Sequence, residues 1–342
     1  MVYGSLWCLC FILSFFNNNS YFKYYVTLCI IMVLWFLASF RGAGVDGDYA
    51  NYIEYINDAQ SIGYSYRGGY FFDWIVNFFV YIGLPVTYVF AVYALAIPIK
   101  IKLFQKFSLL SSSILLGYVG FFIYLHDFTQ IRAGLAVGIA FWGIYYYSYQ
   151  NKIKAVILFF ASCFIHPSLI FLVAFVYINK FLSNKLLVLT LMISIILCVT
   201  NANTFIVQKI VDLSGSADLD LYYRLAVDGQ IIKPFGAFPL LNLFISIVSL
   251  YYLNNIARGN ALLSIFIKML LFSQISWFLF SPIPVLAARI SQIFLFSIVF
   301  VLPHLSLKLF NQPITIPALY SFVGFLAFII IAELMHPYQL GF

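Results

Sequence analysis

Arg41, Asp46 and Asp48 stand within the eight residues RGAGVDGD, and Tyr49 and Tyr52 follow at once. Only 8% of the chain is charged, so three charges this close together need a reason. Gly42 and Gly44 let the backbone turn sharply after the apolar run Phe22–Phe40. A carboxylate here can accept a proton from a hydroxyl, or pair with Arg41. Asp46-Gly47-Asp48 also has the form of a metal-holding pair. That pattern is short and Asp218-Leu219-Asp220 repeats it, so no metal is assigned. Tyr49 and Tyr52 offer flat faces with polar tips, suited to sugars and to a membrane–water boundary.

Four further positions could carry chemistry. Arg132 opens a strongly apolar helix and has small neighbours in Ala133, Gly134 and Ala136, so a helix or ligand can approach closely. A cation at a helix N-terminus opposes the helix dipole, which argues for a specific task. His166 precedes Pro167, which breaks an apolar run and pushes the histidine out of helical geometry. It is suited to act as a base or donor, with an ordinary pKa of roughly 6.5. Arg289, in Ala287-Ala288-Arg289 after Ser281-Pro282-Ile283-Pro284, repeats the Arg132 pattern. Arg224, beside Tyr222 and Tyr223, suits a glycan or an anion.

The elements that must position these residues are membrane helices. The chain is 64% hydrophobic with mean hydropathy +1.01, far above a soluble domain. Its apolar runs are too long and continuous for a β-barrel. They predict an all-α, polytopic integral membrane protein of about 12 transmembrane helices (11–13), as one integral membrane domain over 1–342. Tyr70–Gly83 is apolar but holds Asp73 and Asn77, and reads as interfacial or re-entrant. Ile153–Ile178 reads as one helix broken at Pro167. The Val2–Phe16 run lacks a basic start and a small-residue cleavage site, so it reads as a span and not as a signal peptide. All five cysteines lie in apolar runs and fit no metal motif.

Lysines set the orientation. Lys23, Lys100, Lys102, Lys106, Lys152, Lys154, Lys180, Lys185 and Lys308 fall at alternate ends of successive spans and are placed in the cytoplasm. The eleven acids then fall outside, Asp127 among them, with Arg41, Arg67, Arg132, Arg224 and Arg289. Arginines on the side that topology disfavours point to an anionic, phosphate-bearing ligand, which their donor fork binds bidentately. Two external loops are long. The one over 41–69 carries an amphipathic helix with Tyr49, Tyr52, Ile53 and Ile56 on one face. The other runs over 201–235. The net charge of +7 does not point to nucleic acid, since the lysines sit in short loops.

At these residues the chain resembles the bacterial Wzy-type O-antigen polymerases, and among them the EpsG-like exopolysaccharide polymerases. The matching elements are Arg41 with Gly44-Val45-Asp46 and Tyr49, Ile131-Arg132 with Leu135-Ala136, Phe164-Ile165-His166 with Ser168, and Arg289 with Phe294. No acidic residue lies within Ser281–Ala288, where the family pattern has one before the last arginine.

The resemblance implies a glycosyltransferase of the bacterial inner membrane, working on its periplasmic face without a cofactor. It would move a glycan from undecaprenyl pyrophosphate to the non-reducing end of a lipid-linked repeat unit. Its partners would be those lipid-linked oligosaccharides, membrane lipids and a chain-length regulator. Arg41, Arg132 and Arg289 would hold the pyrophosphate. Asp46, Asp48 or His166 would serve the acceptor hydroxyl, and Tyr49, Tyr52 and Arg224 the glycan. A lipid-linked oligosaccharide flippase and a membrane O-acyltransferase are the rival readings. A flippase should show charges near the bilayer midplane and internal repeats, and an acyltransferase leaves the external arginines without a task.

Overall fold

The structure, a computed structural model, describes residues 2–13, 21–43, 45–63, 68–214, 223–224 and 233–310. Gly44, Arg67, Asp218, Asp220, Asp228, Glu333, His336 and the expected span Ile314–Ala332 lie outside the described residues. Helices joined by turns make up what is described. The chain divides into two compact units, Met1–Ile170 with Phe310–Phe342, and Phe171–Leu309. Each is taken on its own.

The first unit runs α1 (Val2–Leu13), α2 (Tyr21–Ser39), α3 (Tyr49–Ile62) and α4 (Tyr70–Tyr81). Then come α5 (Val86–Phe107), α6 (Ser111–Thr129), α7 (Ile131–Ser148) and α8 (Lys152–Ile165). Its centre is α7. The small residues along α7 let neighbours approach as they do in membrane bundles. A side chain at Gly143 would meet the Phe159 ring of α8 at 2.6 Å, and one at Gly138 would meet Lys100 of α5 at 3.2 Å. Indole hydrogen bonds fix the crossings: Trp142 Nε1 donates to the Ile99 carbonyl at 2.9 Å, and Trp35 Nε1 of α2 to the Ala91 carbonyl at 3.1 Å.

Helix α3 sits in the 41–69 stretch. It buries Tyr52, Ile56 and Ala59 and leaves Asn51 and Glu54 in solvent. That face packs on α4, where Tyr52 stacks near Phe72. Helix α4 is itself two-sided. Phe72, Asp73, Ile75, Val76 and Phe79 face inward, while Trp74 and Phe78 stay exposed. Helix α8 stops where Pro167 demands: His166 is extended at φ −147° and ψ 105°.

The second unit centres on α13. Its helices are α10 (Asn184–Val199), α11 (Ala202–Ser214), α12 (Ala237–Arg258), α13 (Ala261–Leu279), α14 (Pro284–Leu295) and α15 (Ile298–Phe310). Helix α9 (Leu169–Ile178) crosses the boundary between the units. Leu187, Leu191 and Cys198 of α10 pack on Leu271, Ile275 and Phe278 of α13. The side chain of Asn260 caps α13, accepting from the Leu263 amide at 3.0 Å, and Ser183 caps α10 in the same way.

Two expectations bear on what is described here. Single helices long and apolar enough to cross a bilayer are Val86–Phe107 and Ala261–Leu279. Three more spans arise if each sharply bent pair counts as one: α6 with α7 (119°), α10 with the first part of α11 (98°), and α14 with α15 (52°). The described residues therefore supply two to five candidate spans, with three shorter apolar helices beside them, where the apolar runs alone predict about twelve. The run Leu286–Leu307 folds as two helices around the 52° break, and the bent pair of α6 and α7 takes up two runs, Ser111–Leu125 and Thr129–Tyr149, that the sequence reads as separate spans. The protein is thus an all-helical, multi-pass membrane protein.

The second expectation concerns orientation. Lys100 Nζ meets Asp127 Oδ1 at 2.6 Å, with both side chains fully buried. A lysine assigned to the cytoplasm and an acid assigned to the outside touch, so that division does not hold for this pair. The first part of the 201–235 loop is also helix. Val207 and Val211 of α11 pack with Ile283, and Asn203 Nδ2 donates to the Phe278 carbonyl at 2.9 Å and to Ser281 Oγ at 2.8 Å.

Candidate functional site

Arg41 follows the last turn of α2. Its Nη1 donates to the Ala38 carbonyl at 3.0 Å, satisfying an end-of-helix acceptor where a cation also suits the helix dipole. Its Nε donates to Asp46 Oδ2 at 2.7 Å, and both side chains are fully buried. The guanidinium lies over the Phe90 ring at 4.3 Å. One donor remains: Nη2 is buried and has no hydrogen-bond partner among the described residues. A donor left so costs about 1–3 kcal/mol.

Asp46 is committed on both oxygens. Oδ1 accepts from the Asp48 amide at 2.9 Å and the carboxylate also accepts from that of Tyr49, so it folds the chain into α3. Burial pushes its pKa above the ordinary carboxylate range, against the pull of Arg41 and the hydrogen bonds. Asp48 is half-buried at the N-terminal end of α3. Tyr49 stacks on Phe90 with ring centroids 5.5 Å apart.

Arg132 is the second residue of α7. Its Nη1 donates to the Gly68 carbonyl, and its guanidinium lies 5.7 Å from the Tyr55 ring. Gly69 passes close by with φ +81°, a left-handed turn that favours glycine. Tyr52 joins the two arginines. Its phenol hydrogen-bonds with Arg132 and lies within electrostatic reach of Arg41 and Asp48. Burial above all pushes the phenol up to about 12, so Tyr52 keeps its proton at physiological pH. Arg41, Asp46, Asp48, Tyr49, Tyr52 and Arg132 therefore gather around the α3 N-terminus.

The other candidates lie at the end of α8 or on the second unit. His166 is half-buried at the end of α8, whose Phe164 meets Phe71 of α4 at 5.8 Å. Arg289 is exposed on α14, and Phe294 of that helix packs on Phe175 and Phe272. Arg224 is exposed beside Tyr223, which packs with Val207, Val211 and Ile283.

Sequence reasoning missed three contributors. Asp73 is buried in the first turn of α4, and Tyr93 of α5 lies within electrostatic reach of Asp73, Tyr52 and Arg132. Phe90 is the floor beneath Arg41. The signal for Asp73 was present, as a lone acid on the apolar face of an otherwise aromatic helix. Nothing in the local spacing marked Phe90 or Tyr93.

The geometry places two buried or half-buried cations, several carboxylates and an aromatic wall within one cluster. It can hold an anion next to a proton acceptor. Comparison with known protein families matches residues 23–340 to the EpsG family. No curated protein and no solved structure matches the chain.

Proposed function

Since the chain belongs to the EpsG family, which is implicated in exopolysaccharide biosynthesis, we propose that it polymerises lipid-linked repeat units of a polysaccharide. The observation that carries this reading is the convergence of Arg41 and Arg132 on Tyr52. In the proposed reaction an acceptor hydroxyl attacks the anomeric carbon of the donor glycan. The bond from that carbon to the pyrophosphate oxygen breaks, and undecaprenyl pyrophosphate leaves. Negative charge builds on the departing oxygen, where preorganised donors lower the barrier most. Arg132, the remaining Nη2 donor of Arg41 and the protonated Tyr52 supply such donors.

The acceptor proton needs a base. Asp46 is poorly placed for this, because Arg41 and two backbone amides hold both its oxygens. We assign it to positioning Arg41. Asp48, half-buried in the same loop, is the preferred acceptor of the proton, with His166 as the alternative. Arg289 keeps the role of a further anion-binding arginine, and Tyr49 and Arg224 that of glycan contacts. The carboxylates balance the arginines in charge. Such a site holds its anion beside a base, as glycosyl transfer requires, and is not an indiscriminate anion trap. The reading places the enzyme in the bacterial inner membrane with about twelve spans, its site towards the periplasm, and a chain-length regulator as partner.

Complementation tests it. A strain lacking its own copy is given wild type, Arg132→Ala or Arg132→Lys, and its polysaccharide is resolved on a gel with membrane expression checked. A ladder restored by wild type and cut to single repeats by both variants is the expected result. A normal ladder in the deletion strain overturns the polymerase reading. Full rescue by Arg132→Ala overturns the site.

A further inference from the structure

A second charged cluster lies in the first unit, outside the site just described. Asp127 Oδ1 accepts from Lys100 Nζ at 2.6 Å, and Oδ2 from the Tyr118 hydroxyl. Lys100, Tyr118 and Asp127 are each 1% exposed or less. A buried ion pair is weak evidence for stability, because desolvation offsets most of its attraction. Such a pair therefore invites a search for another task.

Its location suggests one. Residues Tyr118–Thr129 form a π-helical stretch, wider than an α-helix, a rare conformation frequent at functional sites. It ends in a wide turn in which the Gln130 amide donates to the Leu125 carbonyl at 3.0 Å. The chain then bends by 119° into α7, and Arg132 is the second residue past the bend. Asp127 sits in that last turn. Gly134, one turn into α7, closes the bend from the other side. A side chain there would collide with the His126 carbonyl and lie 2.7 Å from Asp127 Oδ1. The bend is thus held by Lys100 from α5, by Tyr118 from the start of the π-helical stretch and by the bare backbone of Gly134.

We propose that Asp127, gripped by Lys100 and Tyr118, is the positioning residue that fixes the bend and so sets where the Arg132 guanidinium stands. Its consequence for catalysis rests on the anion-binding reading of Arg132; the positioning itself does not.

The test uses the full chain purified in lipid nanodiscs, with two readouts. Hydrogen exchange over residues 125–134 reports the bend, and titration with inorganic pyrophosphate reports the arginine. The variants are Tyr118→Phe, the double Lys100→Met/Asp127→Leu, and Arg132→Ala. The double variant removes both charges and leaves only the Tyr118 hydroxyl without its acceptor, so its melting temperature is expected to fall by roughly a few degrees. It is also expected to lose exchange protection at the bend by tenfold or more, and to bind pyrophosphate at least tenfold more weakly. Tyr118→Phe should fall between, at about threefold in each. Arg132→Ala should lose pyrophosphate with the bend still protected. Wild-type protection in both the double variant and Tyr118→Phe overturns the proposal. If wild type itself ignores pyrophosphate, the anion reading of Arg132 fails, and exchange at the bend still decides the positioning.

Discussion

The two units handle polar groups in opposite ways. In the first, charge is buried: the ion pairs Arg41–Asp46 and Lys100–Asp127 both lie there with fully buried side chains. In the second, the described links are largely neutral. Asn203 ties α11 to the end of α13, the Ser273 hydroxyl donates to the Ser291 carbonyl at 2.9 Å, and Trp277 Nε1 donates to the Pro234 carbonyl at 3.1 Å. Arg289, the arginine singled out there, is exposed. Buried ions tolerate little displacement, because losing one partner strands the other. The first unit is therefore where losing one partner costs most, and the proposed anion site lies within it.

The sharpest break of this contrast compares two arginines. Arg41→Ala strands the buried Asp46 carboxylate and should cost about 3–5 kcal/mol, with activity lost too. Arg289→Ala should leave stability within about 0.5 kcal/mol, as exposed substitutions do, and lower polymer yield alone. Thermal unfolding in detergent, read beside polymer ladders, checks both. If the two variants lose equal stability, the contrast between the units fails.

Smaller effects sharpen it. Gly134→Ala should cost about 1–3 kcal/mol, since backbone must shift to admit the methyl group. Asn203→Ala in the second unit should cost about 1–2 kcal/mol through its lost hydrogen bonds, with polymerisation preserved in whatever protein folds. Denaturation midpoints and yield-corrected ladders measure these.

The smallest effect is one of pH. The folded state raises the pKa of Asp46, so it holds that proton more tightly than the unfolded chain does. Stability from this group is then fully present below the ordinary carboxylate range and declines as pH rises through the raised value. Asp46→Asn should flatten that decline in melting curves taken across mildly acidic pH. An unchanged slope would show that Asp46 does not set it.

What was legible in the sequence was local. The spacing of Tyr52 and Ile56 marked the face that α3 buries, and Pro167 marked the end of α8. The short loop made an Arg41–Asp46 pair one of few options. Long-range pairings were not legible. Lys100 and Asp127 lie 27 residues apart, and they meet only because the chain turns back through a π-helical stretch that no residue pattern announces. The break between α14 and α15 was equally silent, since it divides the run Leu286–Leu307, which reads as continuous. Phe90 reaches Arg41 through tertiary packing alone, so nothing near it in the chain pointed to the site.

In the proposed site Arg41 and Arg132 hold the pyrophosphate of a lipid-linked donor. Its most direct test is polymerisation by the purified protein in nanodiscs, supplied only with undecaprenyl-pyrophosphate-linked repeat units. This site predicts products that lengthen by whole repeats without any nucleotide sugar. It also predicts a loss of at least a hundredfold in Arg132→Lys, which keeps the charge but not the bidentate fork. Elongation that requires a nucleotide sugar, or an Arg132→Lys enzyme as fast as wild type, would contradict it.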